Sequence, residues 1–277
     1  MSDDRTIREW QDAAAGWRRW EPMLGSVSWP LALRMAAVAE VGPGQRVLDV
    51  GCGIGDPTLQ VAVLVGPHGR VVGVDLSEAM LATARERAAA LGLAHVEFMA
   101  GDVATMPLAP SAFEVVLARW SVNYLDDVVG ALVRLRDTLV PGGRIAVAAW
   151  APPEANPWLA VPLAALREIG IAVDVDATRP GIFQCSADGA LARALLRAGL
   201  QAVDQERVRL SYFARDAGEF WRMLTDVTAG PLAPLVAGLD AARVDDLAHR
   251  VARGLGAYRT GDVLRIPAQA QLAWGRA

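Results

Sequence analysis

Three acids and one glycine-rich turn stand out: Asp49 with Gly51, Gly53 and Gly55 in VLDVGCGIGDPT, Asp75 in RVVGVDLS, and Asp102 in VEFMAGDVATMPL. Each belongs to or closes an apolar run, which places it at or near the carboxyl end of a strand. Glycines at alternate positions let the backbone turn sharply and approach a ligand without Cβ atoms in the way. A carboxylate ending the second strand can accept hydrogen bonds from both hydroxyls of a ribose, and Asp75 lies 24 positions after Gly51, close to the spacing that dinucleotide folds use. The chemistry these residues suit is therefore capture of a nucleoside. A G-x-G-x-x-G loop would carry its third glycine at position 56, where this chain has Asp56. A carboxylate there opposes a pyrophosphate, so the turn favours a neutral or cationic nucleoside. Asp56 and Pro57 read as the N-cap and first residue of the following helix. Ser77 reads as the cap of the next one, with Met80, Leu81, Ala84 and Ala88 at helical spacing after it.

The elements that must position these residues alternate strand and helix five times up to VPGGRIAVAAW, which ends at Trp150. Pro141 and Gly142 are expected to stop a helix, with Gly143 opening the fifth strand. Such alternation predicts a parallel sheet with covered faces. Ligands of these sheets sit outside the carboxyl ends of the strands, where Gly51, Asp75, Asp102 and Arg119 all fall.

With these motifs in this order, the chain resembles the class I S-adenosylmethionine-dependent methyltransferases, most closely the quinone-biosynthesis-like and natural-product branch that acts on small molecules. The likeness is strongest from Arg46 to Trp150. It implies an α/β, Rossmann-like, doubly wound, mostly parallel seven-stranded sheet with a terminal antiparallel strand and helical lid inserts. It implies S-adenosylmethionine as cofactor and S-adenosylhomocysteine as product. The cofactor residues it implies are Asp49, Gly51, Gly53, Asp75, Leu76, Met80, Gly101, Asp102, Val103 and Arg119. Among these, Asp102 and the Val103 amide face adenine while Leu76 and Met80 clasp its ring. The segment Val140-Pro141-Gly142-Gly143 is a hallmark of the same family.

Residues 1–40 carry Trp10, Ala13, Ala14 and Trp17 at helical spacing, an amphipathic stripe. Buried packing against the sheet and closure over the cofactor are both open readings, and closure would exclude water from a sulfonium. The domain reading is a helical lid over 1–40 and a methyltransferase domain over 41–277, with cap inserts at about 151–185 and 214–260. The first insert is proline-rich. The second carries apolar runs at Phe220–Leu224, Leu232–Leu239 and Val244–Leu255, which suit a lid or a dimer surface. QERVRLSYF and DVLRIPAQAQLAWGRA read as a closing antiparallel pair. Acceptor-binding candidates are Trp10, Trp17, Tyr124 and Trp150, an aromatic set that suits an apolar or planar acceptor.

No base is assigned. Arg119, Trp120, Ser121, Asn123 and Tyr124 occupy the loop after the fourth strand, which holds no histidine. His68 and His95 read as solvated, and His249 as an exposed helix position. Glu154 and Asp226 stay open, and an amine or electron-rich carbon would need no base. Arg179 and Arg222 could clamp an acceptor anion or lie on the surface. The main alternative function is structural or electrostatic use of bound S-adenosylmethionine to support a cyclisation or rearrangement.

The 277 residues include 27 basic ones, all arginine, and carry a net charge of −4. The absence of lysine excludes Schiff-base chemistry. No basic run interleaved with aromatics marks a nucleic-acid surface. No apolar run is long enough to span a bilayer, and the amino terminus does not read as a secretory signal, so a cytoplasmic enzyme with a small-molecule partner, able to form a homodimer, is expected. Cys52 and Cys185 have neither metal nor disulfide spacing, and no metal is expected.

Overall fold

A computed structural model describes residues 4–173, 176–227, 235–236 and 238–277. The strands are β1 (Arg46–Val50), β2 (Arg70–Asp75), β3 (Val96–Ala100), β4 (Phe113–Arg119), β5 (Leu139–Trp150), β6 (Gln201–Ala214), β7 (Arg259–Thr260) and β8 (Val263–Arg276). They form one sheet in the order β3-β2-β1-β4-β5-β8-β6, with β7 paired to β8. The first five strands are parallel, Asp49 lying opposite Gly73 and Leu117. β8 runs antiparallel to both β5 and β6. The α/β sheet of the sequence reading is thus present, with the two-residue β7 as an eighth strand.

Burial on both faces explains why the central strands read as continuous apolar runs. Side chains alternate: Val47, Val115 and Leu117 enter one core, while Leu48, Val116 and Ala118 enter the other. The first core is covered by α2 (Glu21–Val38), α3 (Thr58–Val65), α6 (Pro157–Glu168), α8 (Ala217–Val227) and α9 (Ala241–Leu255). The second is covered by α5 (Val128–Asp137) and α7 (Ala190–Arg197). α4 (Glu78–Ala90) packs on β3 and β2, with Ser77 Oγ accepting from the Met80 amide at its start. The amino-terminal helix α1 (Asp4–Arg19) packs on α4 and α8.

Three local expectations are corrected. Helix α3 begins at Thr58, so Asp56 and Pro57 precede it, and the Asp56 carboxylate turns to Arg87 and Gln60 instead of capping the helix. α5 ends at Asp137, before Pro141, and Val140-Pro141-Gly142-Gly143 lies within β5 as an irregular opening whose regular pairing starts at Arg144. Residues 1–40 hold two helices instead of one, and Pro30 lies inside α2. Leu232, in the run assigned to the second insert, lies outside the described residues.

Candidate active site

The carboxyl ends of β1, β2, β3 and β4 open into one cavity with about 1080 Å³ of empty space, part of it open to solvent. Gly51 and Gly53 form its turn, Asp75 and Leu76 one wall, Met80, Gly101, Asp102 and Val103 another. Arg119, Trp120, Ser121 and Tyr124 come from the end of β4, and Trp10 and Trp17 reach in from α1. Twelve of the fourteen residues singled out in the sequence are therefore brought together. Asp49 and Trp150 are not.

Gly51 and Gly53 have φ of +69° and +53°, a region that disfavours any side chain with a Cβ. A Cβ on Gly51 would lie 2.4 Å from that of Ser121, so β4's loop sits directly on the turn. Above Gly53 there is open space. Asp75 is braced on both oxygens: Oδ2 accepts from the Gly53 amide at 2.8 Å and Oδ1 from the Ser77 amide at 2.9 Å. Each oxygen keeps a second acceptor position, so the carboxylate can still receive two hydroxyl donors. Burial raises its pKa, against the lowering effect of these backbone bonds. Asp102 Oδ1 accepts from the Ala104 amide at 2.8 Å, which fixes its turn at the cavity edge. This cradle, its acids and its open backbone fit a nucleoside carrying a positive charge.

Asp49 lies one layer lower. It is fully buried, accepts from Thr58 Oγ1 at 2.5 Å, and its Oδ1 has no hydrogen-bond partner among the described residues. Burial raises its pKa to about 6. A group that holds its proton more tightly folded than unfolded favours the fold at low pH, and that contribution falls as pH rises from about 4 through about 6. Asp49→Asn, which keeps an acceptor for Thr58, is expected to remove this decline. Urea midpoints of parent and variant should diverge between pH 4.5 and pH 7, by about 2 kcal/mol in the variant's favour. Equal pH profiles would contradict it. Trp150 is the second correction: at the end of β5 it stacks behind Trp120, with centroids 4.2 Å apart, and does not line the cavity. Cys52 is buried with its thiol pKa pushed well up, as a packing residue would be.

Sequence reasoning missed the partners of the turn. Arg87 of α4 donates to Ile54 O at 2.6 Å, to Asp56 at 2.9 Å and to Glu21 of α2 at 2.9 Å, tying the glycine turn to the helices above it. Arg87→Met would leave the buried Asp56 without its cation, and a loss of about 2 kcal/mol in urea unfolding is expected. A change within error would contradict the tie. Ser28 and Leu24 of α2 also line the cavity. A lone buried serine on a helix face otherwise made of Leu24, Val27, Leu31 and Met35 was the available signal.

Helix α1 is anchored as well as packed. Trp10 meets Tyr124 edge-on at 5.3 Å, and Trp17 Nε1 donates to Val227 O at 2.9 Å. Asp226 accepts from Arg19 at 2.7 Å and from Trp20 Nε1 at 2.8 Å. Asp226 is thus held by Arg19 and Trp20 and does not line the cavity, while Glu154 borders a separate groove with Arg167 and Phe183. His249 is exposed, bonded within its own helix, and Arg222 is exposed. Arg179 pairs with Asp176 away from the cavity. Burial pushes the Tyr124 hydroxyl well above its usual pKa, which removes it as a base near neutrality. Asp226→Ala is expected to speed amide exchange in α1 roughly tenfold while β1 and β4 keep their protection. Uniform exchange in both proteins would contradict the anchoring.

A doubly wound sheet with a cavity at the carboxyl ends of its parallel strands, closed by a long antiparallel pair, β6 and β8, has the class I methyltransferase fold. Residues 42–166 match the family model described as a methyltransferase domain. It is 39% identical over 117 residues to aklanonic acid methyltransferase DauC of Streptomyces sp. strain C5, covering 42% of this chain and 53% of the relative. It is 35% identical over 187 residues to nocamycin O-methyltransferase of Saccharothrix syringae, covering 63% of this chain and 65% of the relative. The matches thus span between half and two thirds of these relatives. Among solved structures, YcgJ of Bacillus subtilis superposes with a TM-score of 0.56 at 19% identity, over 88% of this chain and 97% of that one, a likeness of fold.

Proposed function

We propose that this chain transfers the methyl group of S-adenosylmethionine to an oxygen, nitrogen or carbon atom of a small-molecule acceptor, in specialised or quinone-like metabolism. The observation that carries the reading is the single cavity in which the Gly51–Gly53 turn, Asp75 and the Gly101–Val103 turn surround one space beneath the aromatic residues of α1. Bound there, the cofactor supplies an electrophilic methyl carbon on a sulfonium. The chain's own residues position and enclose it. Asp75 holds the ribose, Asp102 and the Val103 amide meet the adenine edge, and Leu76 and Met80 pack on the ring faces. Trp10, Trp17 and Tyr124 exclude water and leave aromatic surface toward the positive centre. Holding an acceptor atom in line behind the methyl supplies the largest share of the rate, since proximity alone is worth several kcal/mol.

The names of the two curated relatives support a natural-product acceptor. The net charge of −4 supports a small molecule over a nucleic acid. No helix among the described residues is long and apolar enough to cross a membrane, and the reading places the enzyme in the cytoplasm. Residues 1–40 act as its lid over a domain of 41–277, and exposed Trp29 and Leu33 on α2 support association of two copies.

The test is mass spectrometry of metabolite extract from the source organism after incubation with the protein and methyl-labelled S-adenosylmethionine. A labelled product is expected, and it identifies acceptor and atom together. Tight cofactor binding with no label leaving it would favour the structural use of the cofactor instead.

A further inference from the structure

The loop after β4 is too short to hold its own place. The chain leaves β4 through a backbone turn at Trp120, with φ of +53°, and enters Ser121–Leu125, of which Ser121, Tyr124 and Leu125 line the cavity. The only regular element of this loop is the single 3₁₀ turn Val122–Tyr124, closed by the Tyr124 amide on Ser121 O and the Leu125 amide on Val122 O, both at 3.1 Å. One such turn is not stable by itself in water. Contacts with the rest of the molecule must therefore set where Tyr124 and Leu125 point.

Asn123 makes those contacts. It is fully buried and does not line the cavity. Its Nδ2 donates to Gly181 O at 2.9 Å, and the Gly181 amide donates back to Asn123 O at 2.9 Å. With its nitrogen turned toward two carbonyls, the Gln184 side chain donates to Asn123 O at 2.6 Å and to Leu125 O at 3.2 Å. Asn123 Oδ1 is buried with no partner among the described residues, so the amide costs stability on one side and its donor to Gly181 offsets that cost. The turn Gly181–Ser186, from the first insert, is itself fixed. Ile182 and Phe183 enter the first core, and Gln271 of β8 donates to Ser186 O at 2.5 Å and to Asp188 at 3.1 Å. None of residues 181–186 lines the cavity.

We infer that Asn123 is a positioning residue for the methyl acceptor: the Gly181–Ser186 turn, fastened to β8, holds Tyr124 and Leu125 in the cavity wall through the Asn123 and Gln184 amides without itself reaching the ligand. The inference rests on the transferase reading and adds to it a determinant of acceptor fit. The groups assigned to adenine and ribose follow β3 and β2. The clamp joins the loop after β4 to the insert and β8, on the other side of β1. Loosening it therefore acts on the acceptor more than on the cofactor.

Three measurements on the full chain test this: amide exchange, calorimetry with S-adenosylhomocysteine, and label transfer from methyl-labelled S-adenosylmethionine into dilute and concentrated metabolite extract. In Asn123→Ala and Gln184→Met the amides of residues 122–125 are expected to exchange roughly tenfold faster than in the parent, with β1 unchanged. Affinity for S-adenosylhomocysteine should stay within about threefold. Label transfer should fall roughly tenfold in dilute extract and recover in concentrated extract, as lost acceptor binding does and a lost methyl-transfer step does not. Asn123→Asp keeps the shape of the side chain but donates to Gly181 O only as the acid, whose pKa burial raises. Its transfer relative to the parent should therefore rise as pH falls from about 8 to about 5.5, which lost packing alone would not produce. Unchanged loop exchange in the variants would overturn the inference, and so would parental transfer by a variant whose loop exchanges faster, or a flat ratio for Asn123→Asp. Equal falls in S-adenosylhomocysteine affinity and in transfer would also overturn it, because the clamp would then serve the cofactor. Should Asn123→Ala fail to fold, Gln184→Met decides, since it leaves the bonds between Asn123 and Gly181 in place. A parent that moves no label would count against the transferase reading, and loop exchange in the variants would still decide whether the clamp holds Tyr124.

Discussion

Asp75→Ala is expected to abolish the thermal stabilisation that S-adenosylhomocysteine confers on the parent. A carboxylate receiving two ribose hydroxyls makes two charge-assisted hydrogen bonds, and their removal corresponds to a loss of at least about a hundredfold in affinity. The ligand contribution to stability follows the logarithm of its concentration over the dissociation constant, so a loss of that size removes the shift at ordinary ligand concentrations. Alanine also frees the Gly53 and Ser77 amides, which Asp75 now accepts at 2.8 and 2.9 Å, and the turn itself loosens. Asp75→Asn separates the two effects. It keeps an acceptor for one amide and one hydroxyl, so its melting temperature without ligand should lie nearer the parent's and its affinity between the two. A variant with alanine at 75 that is stabilised as strongly as the parent would contradict the ribose assignment.

The second large effect divides the glycines of the turn. Gly51→Ala places a methyl 2.4 Å from the Ser121 Cβ at φ of +69°. Neither atom can swing aside, since both are fixed to backbone, and a loss of about 3 kcal/mol in urea unfolding is expected together with loss of ligand binding. Gly53→Ala has similar φ, +53°, yet meets nothing within 4 Å. Its folding cost should stay near the 1–2 kcal/mol of the left-handed conformation alone. The added methyl takes up open space in the wall of the cavity, so affinity for S-adenosylhomocysteine should fall at least roughly tenfold in a protein that folds. Equal stability losses in the two variants would contradict this division of roles between a packed turn and an open cradle.

What could be read from the chain was local. Gly51, Gly53, Asp75 and the Ser77 cap each declare themselves within a few residues, because a strand end, a positive φ and a helix start are short-range events. The parallel sheet followed from alternation of elements. What the sequence hid was set by packing over long separations. Asp56 looked like a cap until Arg87, 31 residues on, claimed its carboxylate. Trp150 had the right side chain for a pocket but emerges from β5 beneath Trp120. Asp49 sits at a strand end like Asp75, yet the register opposite Gly73 and the Thr58 hydroxyl hold it under the turn. Trp120's turned backbone had no local signal at all, since neither glycine nor proline marks it.

The most direct test of the central claim is a crystal structure of the protein grown with S-adenosylhomocysteine. The expected density places both ribose hydroxyls on the Asp75 carboxylate and adenine between Leu76 and Met80 with its edge toward Asp102 and Val103. The sulfur should face the aromatic space bounded by Trp10, Trp120 and Tyr124. A nucleoside bound elsewhere, or seated in the cavity with its ribose away from Asp75, would contradict the account.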